Sequence, residues 1–177
     1  MIDVIILNGG SSSGKTTLAK CLQKSLSTPW LRFSIDDLIA AMPEYLLKED
    51  TGIQFGEDGS VIPGTEFRKL ESAWMQGIAE MARNGAQVII DDVFISGAAA
   101  QNRWKEATVG LQILWVGVYC DQSVAASREN SRGDRVEGMA VSQASLVHEG
   151  IYYDLKIDTT NSPTEECAQI IIAEIGQ

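Results

Sequence analysis

Residues 8–17 read NGGSSSGKTT and follow directly on the apolar run Val4–Leu7. Gly9 to Thr16 fit the pattern G-x-x-x-x-G-K-[ST], and they lie between a predicted strand and a predicted helix that opens KTTLAK. That context makes the motif specific, because a chance Gly/Ser-rich turn requires neither flank. The small residues Gly9, Gly10, Ser11, Ser12, Ser13 and Gly14 let the main chain come close enough for its N–H groups to wrap a phosphate. The helix opened by Lys15, Thr16 and Thr17 aims its positive dipole end at the same anion. Lys15 is placed to reach β- and γ-phosphates and the Thr16 hydroxyl to ligate Mg²⁺, so the predicted cofactors are ATP and Mg²⁺.

Three further stretches carry chemistry. VIIDDVF, Val88–Phe94, is an apolar strand that delivers Asp91 and Asp92 to its carboxyl end. Beside a phosphate loop, one such aspartate serves the metal. Successive strand residues face opposite sides, so the two carboxylates differ in job; Asp91 is the first choice for the metal, with Thr16, and Asp92 the second. In FSIDDLIAAM, Asp36 and Asp37 close the second predicted strand, where ligands collect at the edge of a parallel sheet. Asp36 is the candidate general base for an attacking hydroxyl, and helix capping is the competing role, stronger for Asp37. SRENSRGDR supplies Arg128, Arg132 and Arg135, of which Arg132 and Arg135 are the better candidates to neutralise a transferring phosphoryl group. His148, the single histidine, is read as structural.

The elements that must position these groups alternate. Five short apolar runs, at 3–7, 30–35, 87–90, 111–119 and 153–158, are separated by segments long enough for helical crossovers. The predicted fold is α/β, a single domain over residues 1–177 with a five-stranded parallel sheet and helices on both faces. Phe67, Leu70, Trp74, Ile78 and Met81 recur at three- and four-residue steps, predicting a helix over 64–83 whose apolar face packs on the sheet. Residues 43–64 are a long insertion on the substrate side, with a small hairpin at FGEDGSV and scattered large apolar residues suited to a flap. Residues 128–138 are the predicted lid. SPTEE predicts a final helix with Ser162 as N-cap, Pro163 at its first position and Glu165 completing a capping box.

Composition narrows the partners. Twenty-four acidic against 14 basic residues give a net charge of -10, which disfavours nucleic acid but not a small phosphorylated ligand in a local pocket. No apolar run approaches the roughly 18–20 residues of a membrane span, and the strand-like opening segment gives no expectation of secretion by a standard signal. The three cysteines, Cys21, Cys120 and Cys167, lack metal-ligand spacing and read as buried thiols of a cytoplasmic protein. Homo-oligomers stay open.

Together, IILNGGSSSGKT, MPEYLLKEDTGIQF, IIDDVFISGAAAQNRW, LWVGVYCD, SRGDRVEGMA, VHEGIYYD and DTT resemble the P-loop small-molecule kinases, and within them the chloramphenicol phosphotransferase family, over nearly the whole chain. The resemblance implies a P-loop kinase fold and ATP-dependent phosphorylation of a primary hydroxyl of chloramphenicol, which inactivates the antibiotic. It places the family's base on Asp36, its phosphate loop on Gly9–Thr16 and its lid arginines on Arg132 and Arg135. The loop reads SSSGKT where the family pattern is SSAGKS, a change that keeps small size and the metal-binding hydroxyl. The acceptor is a small-molecule alcohol, and the apolar and acidic segment from Met42 to Phe55 favours an apolar one. Two other readings stand beside this: a kinase for a metabolite of adenylylsulfate, shikimate or nucleoside type, and a nucleotide-dependent switch. A guanine switch would carry N-K-x-D after the fourth strand, and GVYCDQSV does not supply it.

Overall fold

The computed structural model describes every residue except Glu57, residues 133–137 and Gln177, and Arg132 by its backbone alone. Five strands, β1 (Val4–Asn8), β2 (Trp30–Ser34), β5 (Gln87–Asp92), β6 (Ile113–Tyr119) and β7 (Leu155–Asp158), form one sheet in the order β2-β5-β1-β6-β7, parallel throughout. Two further strands, β3 (Ile53–Phe55) and β4 (Val61–Pro63), make the antiparallel hairpin expected in the insertion, with Phe55 opposite Val61. The helices are α1 (Lys15–Ser25), α2 (Ile35–Ala41), α3 (Thr65–Arg83), α4 (Ala98–Ala107), α5 (Gln122–Arg132), α6 (Met139–Leu146) and α7 (Thr164–Glu174). Among the described residues no helix is long and apolar enough to cross a membrane.

The near-continuous apolar character of β1 follows from its place at the centre. Ile5 and Leu7 pack on one face with Leu18 and Leu22 of α1 and Ile171 of α7. Val4 and Ile6 pack on the other with Met75 and Ile78 of α3 and Trp104 of α4. Both layers are buried, and burying side chains of this size contributes roughly 1.5–3 kcal/mol each. A third, smaller cluster of Leu38, Met42, Leu46, Ile53 and Phe67 lies under the insertion. The chain passes from β1 outward to β2, returns to β5, and then crosses to β6 on the far side of β1. Such a reversal leaves a crevice at the carboxyl ends of the central strands, where the loops that follow them converge.

Several local expectations are corrected. In α3 the buried line runs through Phe67, Glu71, Met75, Ile78 and Ala82, whereas Leu70 is exposed and Met81 only half-buried. The helix is turned so that Glu71, not Leu70, faces inward, because Arg68 and Arg103 meet its charge there. At the last helix the capping box from Ser162 does not form. Pro163 holds an extended ψ of 141° and is itself the N-cap, without a side-chain cap bond, so the helix starts one residue later at Thr164. Glu165 and Glu166 still fall in the first turn, where they favour the helix dipole. Of the three free thiols only Cys167 is buried; Cys21 and Cys120 are half-buried.

Candidate active site

The phosphate loop is shaped by what it excludes. A Cβ on Gly9 would lie 2.4 Å from the Val118 carbonyl oxygen, so only glycine lets the chain leave β1 past β6. Gly14, at φ 90°, and Ser12, at φ 57°, adopt left-handed backbone that turns successive N–H groups to one side. Lys15 is 6 % exposed and donates from Nζ to the Gly10 carbonyl at 2.8 Å, folded back across the loop. The hydroxyls of Ser12 and Ser13 are buried and have no hydrogen-bond partner among the described residues. Buried polar groups are rarely left so. Orphaned hydroxyls in a loop of small residues at the start of a helix fit a polyanion such as the phosphates of ATP.

Thr16 and Asp91 come together, the Thr16 hydroxyl donating to Asp91 Oδ2 at 2.6 Å. Register explains this, since Asp91 pairs with Leu7 and so stands at the mouth of β1 where α1 begins. A hydroxyl and a carboxylate side by side suit Mg²⁺, which takes one or two protein ligands beside phosphate and water. Asp92 turns to the opposite face, as strand alternation requires. There it accepts from Trp104 Nε1 at 2.6 Å and from the Val93 N–H at 2.7 Å. Burial pushes its carboxyl up to about 6, against the pull of those two hydrogen bonds.

Asp36 and Asp37 are separated by a capping box. Ser34 is the N-cap of α2, its hydroxyl accepting from the Asp36 N–H, and Asp37 returns a bond by accepting from the Ser34 N–H at 2.7 Å. Asp37 is thus the capping carboxylate, and Asp36 is exposed on the wall of a cavity of about 520 Å³. That cavity also contains Ser11, Lys15, Thr16 and Asp91. Its far wall is apolar, formed by Ile39, Met42, Leu47, Phe55, Val61 and Phe67 from α2, the insertion and α3. One polar cluster interrupts it. Glu71, 5 % exposed, accepts from Arg68 Nη1 at 3.0 and 2.8 Å, and Arg103 Nε stands 3.1 Å from Glu71 Oε2 as an ion pair, off the line of a hydrogen bond.

A second cavity, of about 390 Å³, lies on the other side of the loop and shares Ser12 and Gly14 with the first. Arg128 lines it, donating to the Thr159 carbonyl at 2.8 Å and to Cys120 Sγ at 3.3 Å, and Thr159 donates to the Ser13 carbonyl at 2.6 Å. His148 stands behind the loop, stacked on Tyr119 at 3.9 Å and within 2.7 Å of the Tyr153 hydroxyl. Burial, then Lys15 and Lys156, push its imidazole down to about 4.

Sequence pattern singled out the loop, Asp36, and the Thr16 and Asp91 pair, and the fold brings them to one cavity. Arg135 and the side chain of Arg132 lie outside the described residues; the backbone of Arg132 ends α5. The pattern missed Glu129, Gln143 and the Arg68–Glu71–Arg103 cluster. Only Arg68 and Glu71, three apart on a helix, left a signal in the sequence.

Comparison with known proteins bears on family and fold. The family described as "Chloramphenicol phosphotransferase-like protein" matches residues 2–175. A Mycobacterium tuberculosis (strain H37Rv) protein, provisionally named an O-phosphotransferase, is 31% identical over 182 residues, covering 94% of this chain and 79% of that protein. Among solved structures, a sugar kinase from Janibacter sp. HTCC2649 superposes with a TM-score of 0.71 at 16% identity, over 99% of this chain and 95% of that one. The Mycobacterium tuberculosis APS kinase, in complex with AMPPNP and APS, gives 0.66 at 14% identity, over 98% and 97%. At those identities the two structures speak to fold alone.

Proposed function

The chain belongs to the chloramphenicol phosphotransferase-like family of P-loop proteins, and from that premise we propose that it transfers the terminal phosphoryl group of ATP to a hydroxyl of a small, largely apolar molecule. Chloramphenicol is the acceptor to which the sequence resemblance points. The observation that carries the reading is one cavity holding both Lys15, Thr16 and Asp91 and, with the apolar side chains of α2 and the insertion, Asp36.

In this reading the loop amides and the orphaned Ser12 and Ser13 hydroxyls bind the phosphates, and Lys15 neutralises their charge. Thr16 and Asp91 hold Mg²⁺. ATP with Mg²⁺ supplies an activated phosphoryl group and a charge that offsets its negative oxygens. The nucleoside end occupies the cavity beside Arg128 and Thr159. Apolar side chains of α2 and the hairpin hold the acceptor body and exclude water, and Asp36 orients the attacking hydroxyl and takes its proton. Arg132 and Arg135, assigned from the sequence, neutralise charge on the transferred group.

A second reading rests on the Arg68–Glu71–Arg103 cluster. Two guanidinium groups on one carboxylate leave a positive balance in the acceptor wall, which suits a metabolite carrying an acidic group. Kinases of sugars and of APS on the same fold are in keeping with it.

Mass spectrometry separates the two readings. The protein is incubated with ATP, Mg²⁺ and, in turn, chloramphenicol, shikimate, adenylylsulfate and gluconate. One added phosphate on chloramphenicol alone supports the first reading, and one on an acidic acceptor alone supports the second. ATP consumption unaffected by any alcohol overturns both.

A further inference from the structure

Helix α6 reaches the phosphate loop at Gln143. Gln143 is 3 % exposed, and its Oε1 accepts the Ser11 backbone N–H at 2.8 Å. That bond fixes which end of the carboxamide is which, because only the oxygen accepts. The Nε2 end, with its two N–H donors, is therefore the end turned away from Ser11. Gln143 lines the main cavity together with Lys15, Thr16, Asp36 and Asp91. Neither Ser11 nor Gln143 lines the second cavity. A nucleotide with its base in that second cavity, crossing Ser12 and Gly14, ends with its terminal phosphate on the side of Ser11 and Gln143.

The helix is fixed in this position from outside. Glu129 of α5, 4 % exposed, accepts from the Gly138 N–H at 2.9 Å and the Ala140 N–H at 2.8 Å, so a carboxylate from one helix caps the start of the next. Its Oε1 also lies 3.5 Å from the Ser11 hydroxyl. Gly10 completes the fit: a Cβ there would stand 3.4 Å from the Gln143 backbone and side chain.

We propose that Gln143 is a catalytic residue whose Nε2–H donates to an oxygen of the terminal phosphoryl group of ATP, with the Ser11 N–H setting the orientation of its carboxamide. The inference rests on the kinase reading above. A neutral donor distinguishes the triphosphate from the diphosphate, because only the former places an oxygen within its reach. Glu129 is a positioning residue in this arrangement, acting through α6.

Calorimetric titration with AMPPNP and with ADP tests this without an acceptor. Gln143→Glu keeps an oxygen for the Ser11 N–H but replaces the donor with an anion. It is expected to weaken AMPPNP binding about tenfold or more while ADP binding changes by less than about threefold. Gln143→Met, neutral and of similar size, is expected to shift the same ratio about threefold, and it decides the matter alone if the charged variant does not fold. Equal changes for both nucleotides, or none, overturn the inference. A wild-type protein that binds neither nucleotide overturns the kinase reading and this inference with it. A wild-type protein that binds both yet phosphorylates no alcohol counts against the acceptor assignment alone, and the AMPPNP/ADP ratio still decides the role of Gln143.

Discussion

Neighbouring carboxylates of identical chemistry are given different work by the hydrogen bonds they accept. Asp37 is engaged by the Ser34 N–H, which leaves Asp36 on the cavity wall; Asp92 is engaged by Trp104, which leaves Asp91 to Thr16. Asp36→Asn removes a proton acceptor from an exposed position without touching the core. Phosphoryl transfer to the acceptor is expected to fall by about 10²-fold or more, with nucleotide affinity preserved. Steady-state kinetics beside nucleotide titration measure both, and near-normal turnover would remove Asp36 from the base role. Asp37→Ala should show the converse pattern: a loss of about 1 kcal/mol of stability through the lost capping box, seen in urea unfolding, with little direct effect on the chemical step.

Among the elements, β1 and its loop tolerate least. Gly9→Ala would drive a Cβ against the Val118 carbonyl and the Ser13 hydroxyl. Backbone cannot yield as a flexible side chain does, so the loop must move; nucleotide affinity is expected to drop about tenfold with a lowered Tm, and unchanged binding would argue against the loop geometry. Helix α3 offers a test of which face it buries. Leu70 is exposed and Met75 is 1 % exposed. Leu70→Lys should change stability by no more than about 0.5 kcal/mol, whereas Met75→Ala should cost about 2–5 kcal/mol. A larger cost for Leu70→Lys than for Met75→Ala would mean that the helix is turned the other way.

Over the whole molecule, two titrations oppose each other, one of a buried group and one of a half-buried group. Asp92, ordinarily 3.8, is raised to about 6 in the folded state. Between those values the folded chain keeps a proton that the unfolded chain has released, so stability falls as pH rises from about 4 to about 6. His148, ordinarily 6.5, is lowered to about 4, so the unfolded chain holds the extra proton and stability rises over nearly the same window. Each slope is at most about 1.4 kcal/mol per pH unit, and in the wild type they largely cancel. Chemical unfolding of Asp92→Asn between pH 4 and 7 should therefore show stability climbing with pH, and that of His148→Asn should show it declining. Two variants that both reproduce the wild-type profile would remove these groups from the balance.

The alternation of apolar runs with helical segments, and the glycine-rich loop between the first strand and helix, determined the five-stranded parallel sheet and the loop side of the candidate site. Both signals are local: period and spacing along the chain suffice to fix strand, turn and helix. Asp36 and Asp91 were legible for the same reason, since parallel strands deliver their last residues to a common edge. Tertiary structure decided the rest. Glu71 lies inward and Leu70 outward because Arg103, 32 positions further along the chain, meets the buried charge. Gln143 and Glu129 reach Ser11 from 132 and 118 residues away. A glutamine in an ordinary helix carries no pattern of its own, and only the packing of α5 and α6 against the phosphate loop makes it part of the site.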